Sequence, residues 1–66
     1  MTEIDKNSLE KIRIQRTKYK GKDLLDIRVF YEAENGEWKP TKKGITVKVA
    51  LTEKLLDGIK RELSDT

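Results

Sequence analysis

Four aromatic residues, Tyr19, Phe30, Tyr31 and Trp38, are all the rings the chain has, and cations surround them. Tyr19 has Lys18, Lys20 and Lys22 as neighbours, Phe30 stands two residues from Arg28, and Trp38 precedes Lys39. An exposed ring offers a flat face on which an unpaired base can stack, worth roughly 1–3 kcal/mol per base. Lysines and arginines add phosphate contacts whose strength falls with salt, because each one releases condensed counterions. The combination suits a single strand gripped with little sequence preference. We assign base stacking to Tyr19, Phe30, Tyr31 and Trp38, and phosphate contact to Lys20, Lys22, Arg28, Lys39 and Lys43. A place in the core is an equal alternative for Tyr31 and Trp38.

Catalytic chemistry has little to work with. The chain has no histidine and no cysteine, and no glycine-rich loop leads from a strand into a helix. Asp23 and Asp26 are three apart on an expected strand, so they point to opposite faces and cannot act as a carboxylate pair. Asp26 and Arg28 share a face, where a salt bridge is the ordinary outcome. No enzyme, cofactor, structural metal or small-molecule substrate is expected.

Several short elements must position these residues. Positions 1–8 have no periodicity and read as a flexible N-terminal arm; residues 9–66 read as one domain. From Lys11 to Tyr19 the chain alternates, with Ile12 and Ile14 on one side and Arg13, Gln15 and Thr17 on the other, which predicts a half-buried strand. Lys20-Gly21 reads as a two-residue turn. Lys22 to Glu32 is the longest strand, with Leu25, Ile27, Val29 and Tyr31 facing the core. Leu24, Asp26, Arg28 and Phe30 then face solvent or a ligand. Asn35-Gly36 signals a type I′ turn, which needs positive φ at both residues. A short third strand runs from Glu37 to Lys39 and ends at Pro40, which cannot donate to a ladder. Thr41 to Gly44 is a basic loop, and Ile45 to Leu51 alternates as a fourth strand.

Thr52 is a natural N-cap, and Glu53 favours the first turn of a helix running to about Leu63. Leu55, Leu56, Ile59 and Leu63 fall on one stripe at the helical period. Gly58 interrupts that helix at a cost of about 1 kcal/mol relative to alanine, which fits either close approach by another backbone or simple drift. The helix also mixes Lys54, Lys60 and Arg61 with Glu53, Asp57 and Glu62, so it is no basic recognition helix for a duplex groove.

Sixty-six residues allow one domain, and a chain this short buries only about 60 % of the surface its unfolded form exposes. Without cysteine there are no disulfides to help, so oligomerisation is the expected source of stability. No apolar run approaches the ~20 residues needed to cross a bilayer, and the N-terminal residues lack the apolar segment of a signal peptide. A cytoplasmic protein is expected. The net charge is +3, yet Lys11 to Lys48 holds eleven basic against five acidic residues, so the basic charge sits on the expected sheet.

The segment from Tyr19 to Val47 resembles the single-stranded-DNA-binding C-terminal domain of the transcriptional coactivator family called positive cofactor four. The resemblance rests on aromatic-Lys-Gly-Lys at Tyr19 to Lys22, Asp-Ile-Arg at Asp26 to Arg28 and the pair Phe30-Tyr31. Gly36-Glu37 follows, then Lys-Pro-x-Lys-Lys-Gly-Ile from Lys39 to Ile45. It implies an α+β fold in which a four-stranded, curved antiparallel sheet is followed by one C-terminal helix. It also implies a homodimer whose helices pack between the sheets, and we place the interface at Leu55, Gly58, Ile59 and Leu63. The family's DNA-contacting positions correspond here to Tyr19, Lys20, Gly21, Lys22, Arg28, Tyr31, Lys39 and Lys43, with Gly21 admitting close backbone approach. Tyr31 stands where the family often has Trp. The Ser- and Lys-rich regulatory tails of eukaryotic members have no counterpart in these residues, so their regulation is not implied. The chain is similar to the compact prokaryotic or phage type, nucleoid-associated if prokaryotic. The expected function is sequence-tolerant binding of single-stranded DNA, with a role in transcription coactivation or regulation. Two alternatives stay open: an RNA-binding module on the same face, and a protein-interaction module for an acidic partner.

Overall fold

The computed structural model describes residues 1–64. Four strands, β1 (Thr2–Asp5), β2 (Glu10–Tyr19), β3 (Lys22–Glu32) and β4 (Trp38–Lys48), lie antiparallel in the order β1-β2-β3-β4. The sheet is open and curved. A 3-10 turn over Val49–Leu51 leads into helix α1 (Thr52–Ser64).

The count of four strands agrees with the sequence reading, but two of the four differ in place. The expected N-terminal arm contains β1, which pairs with β2 through Thr2 opposite Ile14 and Ile4 opposite Ile12. The expected third and fourth strands are one strand. In β4 the pairing passes from Gly44 opposite Arg28 to Pro40 opposite Phe30, so Thr41, Lys42 and Lys43 face the single residue Val29. Bulges of this kind bend a strand and increase its twist. Pro40 is tolerated because β4 is an edge strand and can lose a ladder donor there. Thr41 closes the gap: its hydroxyl donates to the Val29 carbonyl at 2.8 Å and accepts from the Lys43 N–H at 3.1 Å.

The turns follow their chemistry. Lys20 and Gly21 have φ of 50° and 78°, the positive pair that a two-residue hairpin needs. The second hairpin is longer than expected. Only Gly36 is positive there, at φ 82°, and Asn35 instead accepts the Glu37 N–H on its side-chain oxygen at 3.1 Å. Val49–Leu51 leaves the ladder before the end of the expected strand. Thr52 has helical angles, φ −59° and ψ −42°, so it lies inside the continuous helical path rather than capping it.

Register divides the side chains into two faces. Ile4, Ile12, Ile14, Leu25, Ile27, Val29, Ile45 and Val47 share the apolar face. The other face carries Glu3, Lys11, Arg13, Asp26, Arg28, Phe30, Trp38 and Thr46. The helix does not cover the apolar face: α1 has no buried residue, and Ile45 is 47 % and Ile59 48 % exposed. Among the described residues Phe30 alone is buried, although the sequence places it on the solvent or ligand side. The radius of gyration is 13.8 Å, against about 11 Å for a compact chain of this length. An apolar sheet face and an apolar helix stripe are both left open.

Candidate nucleic-acid interface

The tip of the β2–β3 hairpin presents the densest part of the expected site. Tyr19 pairs with Lys22 across the turn, is 63 % exposed, and has Lys20 Nζ 5.4 Å from its ring centroid. Gly21 sits between with nothing within 4 Å of a Cβ built on it. Lys20, Lys22, Lys39 and Lys43 make no ion pair with any described residue. Their charges are free to meet a polyanion.

Arg28 is placed differently. Its Nε and Nη2 donate to Asp26 at 3.3 and 3.0 Å, and its Nη1 donates to the Thr41 carbonyl at 3.0 Å. The Thr46 hydroxyl donates to Asp26 Oδ1 at 2.8 Å. Hydrogen bonds from Arg28, then from Thr46, hold the Asp26 carboxyl below the ordinary aspartate range against the opposing effect of burial. The guanidinium therefore ties β3 to the bulge of β4. Gly44, opposite Arg28, makes that approach possible: a Cβ there would stand 2.5 Å from the Ile27 carbonyl oxygen and 2.9 Å from Arg28 Cα.

The remaining rings lie under cations. The Arg13 guanidinium is 4.0 Å from the Phe30 ring centroid, and Lys11 Nζ is 4.4 Å from that of Trp38. Phe30 is thus a buried ring beneath an arginine rather than an open platform, and Trp38 is half-buried. Sequence reasoning missed Lys11 and Arg13. Their alternation on β2 was visible, but their partners are fixed by the β2–β3 register, which sets Lys11 opposite Phe30.

Tyr31, Lys39 and Lys43 belong elsewhere. Tyr31, 40 % exposed, pairs with Lys39 at the far end of the apolar face. Lys43 lines a shallow groove with Ile12, Ile27, Val29 and Ile45. The expected set is therefore split: Tyr19, Lys22, Arg28, Phe30 and Trp38 on one face, and Tyr31, Lys39 and Lys43 on or beside the other. On the helix, Leu55, Gly58, Ile59 and Leu63 line one open groove together with Lys54 and Glu62. Among the described residues no cluster of acidic side chains could hold a metal, and no helix is long and apolar enough to cross a membrane.

Comparison with known proteins agrees with this architecture. The family model described as transcriptional coactivator p15 (PC4) matches residues 6–58. A PC4 homologue from Burkholderia pseudomallei K96243 superposes with a TM-score of 0.91 at 23 % identity, covering 100 % of this chain and 89 % of that one. A second crystal form of the same homologue gives a TM-score of 0.86 at 24 % identity, covering 100 % and 94 %. The bacteriophage T5 homologue of the eukaryotic transcription coactivator PC4, implicated in recombination-dependent DNA replication, gives 0.79 at 26 % identity, covering 97 % and 77 %. No curated protein sequence matches.

Proposed function

The chain belongs to the transcriptional coactivator p15 (PC4) family, a family of DNA-binding coactivators, and from that premise we propose that it binds single-stranded DNA as a homodimer. The observation that carries the proposal is the β2–β3 hairpin, where an exposed ring, Tyr19, stands among the unpaired Lys20 and Lys22. A base stacks on the ring while the lysines meet flanking phosphates, and the Gly21 backbone lets the strand come close. Tyr31, Lys39 and Lys43 supply a second ring and further cations. Arg28 acts by holding β4 in place. The likeness to the phage protein supports a role where DNA is unwound, in the cytoplasm or at a nucleoid.

The burial supports the second copy. With one buried residue among those described, a single copy lacks the apolar burial that offsets chain entropy. An identical partner, its helix stripe at Leu55, Gly58, Ile59 and Leu63, would cover the open surfaces of both copies. Fluorescence anisotropy with an oligo-dT of about 20 nucleotides tests the binding, a length that spans more than one site of this kind. Binding should fall steeply as salt rises. Equal affinity for a duplex of the same length would refute the single-strand reading, and a matched RNA competitor reports whether the 2′-hydroxyl is tolerated. A monomer in light scattering would refute the dimer.

A further inference from the structure

Strand β1 brings an acidic side chain onto the cation-bearing face. Glu3 lies opposite Arg13 in the ladder. Its Oε2 accepts from Arg13 Nε at 3.0 Å and from Nη2 at 2.8 Å, while Oε1 is 3.7 Å from Lys11 Nζ. Each cation thus has a ring on one side, Phe30 for Arg13 and Trp38 for Lys11, and the same carboxylate on another. An arginine fork and a lysine ammonium held side by side make a receptor for an oxyanion, and phosphate and carboxylate present equivalent acceptors to it.

We propose that Lys11 and Arg13 form a further phosphate subsite for the single strand, and that Glu3 is an internal competitor which a backbone phosphate displaces. The inference rests on the single-strand reading above. Three features favour displacement over a fixed structural bridge. β1 has only four residues, all exposed, and pairs with one neighbour at the sheet edge. Its ion pairs are partly exposed and so weakly held. The subsite lies on the same face as Lys22, within the ladder that carries the hairpin. The Arg13 hydrogen bond also holds the Glu3 carboxyl below the usual glutamate range.

The test compares the full chain with Glu3→Gln by oligo-dT anisotropy across salt concentrations. Glu3→Gln should bind up to about fivefold more tightly, since no partly exposed ion pair has to be broken, with an unchanged log–log salt slope because the same phosphates are neutralised in both complexes. Adding Arg13→Gln and Lys11→Gln should remove the gain. Equal affinity for wild type and Glu3→Gln would overturn this proposal alone, as would a steeper slope for Glu3→Gln, which would mean that Glu3 keeps the two cations in the wild-type complex. Absence of binding by both would overturn the single-strand reading and this proposal with it. Should Glu3→Gln fail to give a cooperative melt, the wild-type Arg13 Nε–H resonance decides. It should shift on adding oligo-dT, and its constancy at saturation would overturn the proposal.

Discussion

Replacing Arg28 by glutamine separates two roles for the same side chain. As a phosphate contact, Arg28 would matter to binding and little to stability. As a tie between β3 and the β4 bulge, it would matter to stability first. The structure supplies the magnitude. Glutamine cannot reproduce the fork, so the two bonds to Asp26 and the bond to the Thr41 carbonyl are lost together. Hydrogen bonds to charged groups contribute about 1.5–3 kcal/mol each. The Arg28 and Asp26 side chains are 23 % and 14 % exposed, and Asp26 keeps its bond from Thr46. Solvent screening and that surviving bond favour a total of roughly 2–3 kcal/mol. A domain of this length has about 3–10 kcal/mol in all, so the loss is severe. It corresponds to roughly 8–24 °C in Tm. Circular dichroism melts at one fixed protein concentration would read it, since a dimer's Tm depends on concentration. Asp26→Asn combined with Arg28→Gln should cost less than the sum of the two, as expected for residues in one network. A melt within about 3 °C of wild type would refute this reasoning, more so if the salt slope fell by about 0.7.

Other substitutions probe the same frame. Phe30→Ala should cost about 3–5 kcal/mol and leave little cooperative unfolding in a thermal melt. Phe30→Leu should cost less than Phe30→Ala, because more of the buried volume is kept, and should keep oligo-dT affinity, since the buried ring lies beneath Arg13. Gly44→Ala forces β4 away from backbone atoms of β3 and should cost about 1–3 kcal/mol, read as a lowered Tm. Ile59→Glu places a charge on the open helix stripe, and light scattering should show a monomer. Acid should weaken the fold through Asp26. Its folded carboxyl titrates below the unfolded one, so its stabilisation is complete above the ordinary aspartate range and fades as pH falls through the lowered folded value. Asp26→Asn should flatten that part of a stability–pH curve.

Local chemistry made the centre of the sheet legible and left its edges obscure. The long alternation of β2 and β3, with Lys20-Gly21 between them, marks the central hairpin without any tertiary information. β1 offers one isoleucine in four residues, too little for a period of two to register; what places it is the ladder to β2. Pro40 reads as a strand end because the residue lacks a donor, yet on an edge strand that donor is dispensable. The Thr41 hydroxyl then bridges a break that the sequence presents as a loop. Phe30 was misplaced for a related reason. Its polar neighbours Asp26 and Arg28 suggest solvent, but they neutralise each other, and Arg13 from β2 closes over the ring.

The division of the site between two sheet faces bears on how a strand could be held. Tyr19 and Tyr31 lie on opposite faces of β2 and β3, at opposite ends of those strands. A flexible strand running along one face of one copy meets one of these rings and not the other. In the proposed dimer, one strand could meet both rings if Tyr31 and Lys39 of one copy bordered the hairpin of the other. A continuous track of rings and cations then requires both copies, and the affinity for one long strand exceeds that of a single copy through effective concentration alone. Ile59→Glu should therefore lose oligo-dT affinity together with the dimer, although Ile59 is not among the proposed strand contacts. A monomeric Ile59→Glu protein with wild-type affinity would mean that one hairpin suffices and that Tyr31, Lys39 and Lys43 serve the fold instead.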